Sequence, residues 1–189
     1  MSAASLRAAS IIAAALAVAA VPQGGAVAAS SSASSCADAD LRIVSSATRE
    51  RARRALVCLV NRDRAARGRR TLRTSTPLGR AAQGHSTSMV RYKYISHTGR
   101  DGSNLRQRVT RTGYVRRGQT YNTSETITFK TGDVLTARNM FGQLLLSSQH
   151  RERVRRTYFR DVGVGLTIGA PTRTNRPGMT LVVVLGVRS

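Results

Sequence analysis

The run Met179-Thr180-Leu181-Val182-Val183-Val184-Leu185 constrains this chain more than any other stretch. It is almost unbroken in apolar and β-branched residues, which reads as a buried strand. A strand is also predicted just before it, where Val162, Val164, Leu166 and Ile168 alternate around Gly163 and Gly165. Between the two, residues 170–178 hold Pro171 and Pro177 among turn-forming residues, so an antiparallel hairpin with a long loop is predicted. Thr126-Ile127-Thr128-Phe129 alternates as well and gives a third strand.

The earlier part of the sequence carries helical spacing. Ala52, Ala55, Leu56, Leu59, Val60 and Asp63 recur at 3–4 spacing between Ala47 and Arg67, with Gly68 as the stop. Arg49, Arg53, Arg64 and Arg67 fall away from that stripe and are predicted to form a solvated face. A second helix begins at Thr76, a cap candidate, followed by Pro77. Its apolar stripe is Leu78, Ala81, Ala82, His85 and Met89. Ser103 is expected to cap a short third helix carrying Leu105 and Val109 and ended by Gly113. Asp133 is expected to cap a fourth, with Val134, Ala137, Phe141, Leu144 and Leu145 turned inward. Helices first and strands later indicate an α+β fold. A length of 189 residues with 41 % hydrophobic content suits one domain with a core.

Residues 1–28 have the layout of an export signal: Arg7, the apolar run Ile11–Ala20, the breakers Pro22, Gly24 and Gly25, and small residues at Ala26-Val27-Ala28. Spanning a bilayer takes ~20 apolar residues, so this short run reads as a cleaved signal and not as a membrane anchor. Residues 29–46 are expected to be an N-terminal linker containing Cys36, and residues 47–189 the folded domain. A secreted product meets an oxidising compartment, where Cys36 and Cys58 are expected to pair; two separate thiols are the alternative.

Chemistry-bearing residues are few. The three histidines are His85, His97 and His150. His85 lies on the apolar stripe and reads as a packing residue. His97 sits in a turn-rich loop, Glu125 at a strand start and His150 at a loop-to-helix junction. Separations of 28 and 25 residues define no local metal motif. Ser96, Ser147 and Ser148 lie near histidines, but no Gly-x-Ser-x-Gly elbow exists and a serine-hydrolase site is disfavoured.

Six segments in order carry a resemblance. They are Leu59-Val60-Asn61-Arg62 running into Arg67-Gly68, Leu78-Gly79-Arg80-Ala81-Ala82-Gln83-Gly84-His85, and Ser96-His97-Thr98-Gly99-Arg100-Asp101-Gly102-Ser103. The others are Ser124-Glu125-Thr126-Ile127, Ser147-Ser148-Gln149-His150-Arg151 and Gly163-Val164-Gly165. Together they resemble the bacterial branch of the CAP superfamily, the cysteine-rich secretory, antigen 5 and pathogenesis-related 1 proteins. The resemblance spans about residues 52–187. It implies a three-layer αβα sandwich with a small antiparallel sheet flanked by helices. It also implies a cleft lined by His97, Glu125 and His150, which would hold zinc or another divalent metal. A second glutamate that many members carry corresponds to Ser147 here, and the residues flanking Glu125 depart from the family signature.

The charge is extreme: 31 basic residues against 9 acidic, a net of +22, with 29 of the basic residues being Arg. Part of the Arg-over-Lys bias fits a high-GC genome. The remainder implies a strong positive field and salt-sensitive binding to polyanions, since the guanidinium fork suits phosphate and carboxylate. Arg106, Arg108, Arg111, Arg151, Arg153, Arg155 and Arg156 are the expected binding surface, and anionic cell-envelope polymers or lipids the expected partners. Export argues against a sequence-specific nucleic-acid role. The expected function is therefore a secreted, non-catalytic binding module for lipid, cell-wall polymer or a host component. The alternative is a metal-assisted hydrolase built on the His-Glu-His cleft.

Overall fold

The computed structural model describes Met1 and residues 36–189. The expected export signal, apart from Met1, and the expected linker residues 29–35 lie outside the described residues. Helix α1 (Ser46–Ala65) buries Ala52, Ala55, Leu56, Leu59 and Val60, as the spacing predicted. Its cap is Ser45, whose side chain and that of Thr48 satisfy each other's backbone N–H. After the two-residue strand β1 (Arg73–Thr74) comes α2 (Thr76–Tyr92), capped by Ser75, with Pro77 in its first turn. Short α3 (Leu105–Arg111) is capped by Asn104 and Gln107 instead of Ser103. Strand β2 (Tyr121–Thr131) extends well beyond the predicted four residues. Helix α4 (Ala137–Leu146) starts at Thr136, not Asp133, which leaves Val134 54 % exposed. Then follow α5 (Ser148–Arg155), β3 (Asp161–Ile168) and β4 (Gly178–Arg188).

The strands form one sheet in the order β1-β3-β4-β2. β4 is central and antiparallel to both β2 and β3, the predicted hairpin among these pairs. β1 runs parallel to β3, pairing Arg73 with Asp161 and Thr74 with Val162. The sheet is therefore mixed where an antiparallel one was expected, because a two-residue strand carries no periodic signal to read.

Alternation along β4 explains the layers. Met179, Leu181, Val183 and Leu185 face a core shared with α1, α4, α5 and the segment around Ile43. Val182 and Val184 face the other way, onto α2 and Tyr114. Helices on both faces give the αβα sandwich. On β3 the alternation is sharper still. Val162, Val164 and Leu166 point to the α1 side, whereas a Cβ on Gly163 or Gly165 would lie 2.2 Å from α2 backbone atoms. The two glycines let α2 rest directly on the sheet.

Two expectations need correction. Residues 36–45 are not linker: Cys36, Ala39 and Ile43 are buried, and the Ile43 N–H donates to Leu135 O at 2.9 Å. The Cys36–Cys58 disulfide, with Cα atoms 5.7 Å apart, fixes this segment to α1. Arg64 is not on a solvated face either; it is fully buried. The chain doubles back over the end of α1, and Arg64 donates to Arg70 O at 2.8 Å, Val154 O at 2.6 Å and Arg156 O at 3.0 Å.

Candidate functional site

Glu125 sits in β2 opposite Val184, on the sheet face that carries α2 and α3, and is 3 % exposed. A carboxylate so buried requires partners. Arg108 of α3 provides them: its Nη2 donates to Oε1 at 2.9 Å and to Oε2 at 3.1 Å. Arg108 is itself buried, and donates further to Ser103 O at 2.8 Å and His97 O at 3.0 Å. One guanidinium thus joins helix, strand and loop.

The loop bearing His97 is held by its own turn chemistry. Gly99 N–H donates to Ser103 O at 2.7 Å, the Asp101 carboxylate accepts from Ser103 N–H at 3.1 Å, and Arg111 pairs with Asp101 at 2.7 Å. Hydrogen bonds from Ser103 and then from Arg111 hold the Asp101 carboxyl well below the usual carboxylate range. His97 Nδ1 lies 2.9 Å from Glu125 Oε2. A carboxylate only accepts, so Nδ1 carries the proton and Nε2 remains without a hydrogen bond among the described residues.

His85 joins the same group. Its Nε2 is 3.9 Å from Glu125 Oε2 and donates to Ser96 O at 2.8 Å, which anchors the loop to α2. Burial pushes the His85 pKa below its ordinary value, with the Glu125 charge opposing. His150, in the first turn of α5, is lowered by burial and then by Arg153. Its Nδ1 is buried without a partner.

A cleft of about 470 Å³ opens over this cluster, lined by His97, Thr123, Ser124, Glu125, Arg153 and Arg156 among others. His97 and Glu125 are therefore brought together as expected, while His150 is not among the lining residues. Among the described residues no three His, Cys, Asp or Glu side chains stand together as metal ligands. The donors do not fit a divalent cation, because both Glu125 oxygens are engaged by Arg108 or His97. His85 escaped the sequence reading as a site residue, and Arg108 was expected on the polyanion-binding surface, not as the buried partner of Glu125. Arg108 lies three residues after Leu105 and one before Val109, on the inward side of α3, and a charge in that position was the available signal.

The expected arginine surface divides. Arg108 is buried and is removed from it. Arg111, Arg155 and Arg156 are paired with Asp101, Asp63 and Glu152. Arg106, Arg151 and Arg153 have no carboxylate partner among the described residues. Arg106 stacks over Tyr121 at 5.6 Å, Arg151 donates to Leu146 O at 3.1 Å, and Arg153 donates to Glu125 O at 2.8 Å.

Comparison with known proteins supplies the context for this geometry. An outer surface protein from Borrelia burgdorferi superposes with a TM-score of 0.60 at 17 % identity, over 78 % of this chain and 98 % of that one. An extracellular protein containing an SCP domain, from Bacillus anthracis str. Ames, gives a TM-score of 0.51 at 17 % identity, over 74 % of this chain and 44 % of that one. At such identities the likeness concerns the fold alone. No curated protein sequence matches at a significant level. The family model for cysteine-rich secretory proteins matches residues 57–185, from the middle of α1 through the buried run of β4. That match covers well over half of the sequence, and the chain belongs to the cysteine-rich secretory protein (CAP) family.

Proposed function

We propose that this protein is a secreted, non-catalytic module that binds anionic polymers or lipids of the cell envelope. The observation that carries this reading is the charge state of the cleft. Its one buried carboxylate is already balanced by Arg108, so Arg153 at the lining stays uncompensated, with Arg106 and Arg151 also lacking carboxylates. A net charge of +22 adds a long-range positive potential. Family membership and the extracellular character of a structural relative support export, as does the signal-like N-terminus.

The hydrolase alternative loses its main support. It needs two imidazoles and a carboxylate on one ion, and His150 does not line the cleft with His97 and Glu125. Retention on immobilised heparin, eluted with a salt gradient, tests the binding reading. Elution at elevated salt, shifted to lower salt by the combined Arg106→Ala, Arg151→Ala and Arg153→Ala changes, is expected. Passage of the unaltered protein in the void volume would refute it.

A further inference from the structure

We propose that buried Arg108, behind the cleft, balances Glu125 in place of a metal, and that the cleft takes a phosphate group of a soluble anionic polymer between His97 and Arg153. The proposal rests on the anion-binding reading above and assigns it a site.

Arg108 reaches both Glu125 oxygens from inside the fold and is fixed by the Ser103 and His97 carbonyls. Hydrogen bonds between ionised partners are the strong ones. Arg108 does not line the cleft, but from behind it already neutralises Glu125, and His97 Nδ1–H lies on Oε2. A cation entering the cleft would gain little from that carboxylate, and an anion would meet no net negative charge there.

The lining then offers donors without acceptor demand. Arg153 spends one N–H group on Glu125 O and meets no carboxylate among the described residues. His97 is largely exposed and has Nε2 free of hydrogen bonds among them. Thr123 and Ser124 also line the cleft. A phosphate accepts from imidazole and guanidinium N–H groups, and a guanidinium matches two of its oxygens at once. The exposed apolar residues Ile95, Val134, Leu146 and Ile168 do not line this cleft. A concave cleft with an arginine and a histidine in its lining suits a phosphate protruding from a soluble chain better than the plane of a bilayer.

The test is NMR of the histidine ring and arginine side-chain signals of the protein from Ala29 onward. Glycerol 3-phosphate, a phosphate-bearing polymer unit, and zinc chloride are titrated separately. Saturable shifts at His97 and Arg153 with glycerol 3-phosphate are expected, with affinity at least tenfold weaker in Arg153→Ala. Equimolar zinc is expected to leave the wild-type His97 signals unmoved, while Arg108→Gln responds to at least tenfold less zinc. If that variant does not fold, the wild-type zinc titration decides the point. Stoichiometric zinc at His97 in the wild type overturns the proposal. So does a silent cleft in glycerol 3-phosphate; if heparin retention persists in that case, the anion-binding reading stands and only the site is wrong. Binding to phosphatidylglycerol vesicles, with no response to glycerol 3-phosphate, would assign the charge to a membrane instead and also overturn it.

Discussion

Arg108 and Glu125, seventeen residues apart in sequence, form a pair buried on both sides, with a single guanidinium nitrogen 2.9 and 3.1 Å from the two carboxylate oxygens. The same nitrogen donates to the backbone of His97 at 3.0 Å, so the pair holds the loop as well as the charge. Breaking a buried pair by removing one partner costs about 3–5 kcal/mol, because the other charge is stranded. Arg108→Met and Glu125→Gln should each destabilise in that range by urea unfolding. The double variant should cost clearly less than the two together. Additive losses would show that the two side chains act independently.

Arg64 makes a second expectation. It is buried with carbonyl partners and no carboxylate, and its loss would leave Val154 and Arg156 carbonyls short of a donor. Arg64→Met should cost about 3 kcal/mol, the scale of hydrogen bonds to a charged group. Loss within about 0.5 kcal/mol, the usual surface value, would mean that the carbonyls find other partners.

The contact between β3 and α2 allows a paired test on glycines. A Cβ at Gly165 would lie 2.2 Å from the Ala82 backbone carbon, whereas Gly84, in the interior of α2, faces open space. Gly165→Ala should destabilise by about 1–3 kcal/mol through overpacking. Gly84→Ala should stabilise by about 0.5–1 kcal/mol, since alanine loses less backbone freedom in a helix. Equal effects of one sign would contradict the close approach.

Removing the Cys36–Cys58 link tests the reassigned N-terminal segment. The sequence separation is 22 residues, and closing a loop of this order contributes about 3 kcal/mol in the chain-entropy model. The Cys36→Ser/Cys58→Ser variant should melt at lower temperature and exchange the Ile43 amide faster. An unchanged Ile43 amide would mean that packing alone holds residues 36–45.

His85 sets an expected pH dependence. Burial lowers its pKa in the folded protein, so between that value and the unfolded value of about 6.5 the unfolded chain binds more protons. Its contribution is full above the unfolded pKa and is lost as pH falls. Burial gives His150 the same sign. Urea stability should therefore fall as pH drops below about 6.5, and less steeply in His85→Gln. The carboxylates of Asp38, Asp40 and Asp101, all held below their ordinary pKa chiefly by hydrogen bonds to Arg51, Arg138 and Ser103 respectively, act only in a more acidic window. An identical slope in His85→Gln would assign the dependence elsewhere.

Much of the fold was legible because burial writes periodicity. The α1 stripe, Pro77 at the start of α2 and the β3–β4 hairpin all follow from where apolar side chains recur. The pairing of Cys36 with Cys58 followed from having two cysteines in a chain expected to be exported. The meeting of His97 and Glu125 came from family resemblance, since no local spacing joins them. Buried charges were the hard part. In a sequence with 31 basic residues, Arg64 and Arg108 look like the rest. Their partners are carbonyls and one remote carboxylate, which no pattern announces. Strand β1 and the caps at Asn104 and Thr136 were missed for a related reason: each is decided by one or two side chains.

The proposed function has Arg153 in the cleft engage polyanions. Its most direct test is the affinity for a labelled polyphosphate chain, read by fluorescence anisotropy from about 50 to about 200 mM salt. Log affinity is expected to fall linearly with log salt, as counterions are released, and Arg153→Ala is expected to bind more weakly with a shallower slope. Affinity that ignores salt, or an Arg153→Ala variant indistinguishable from the wild type at every salt concentration, would contradict it.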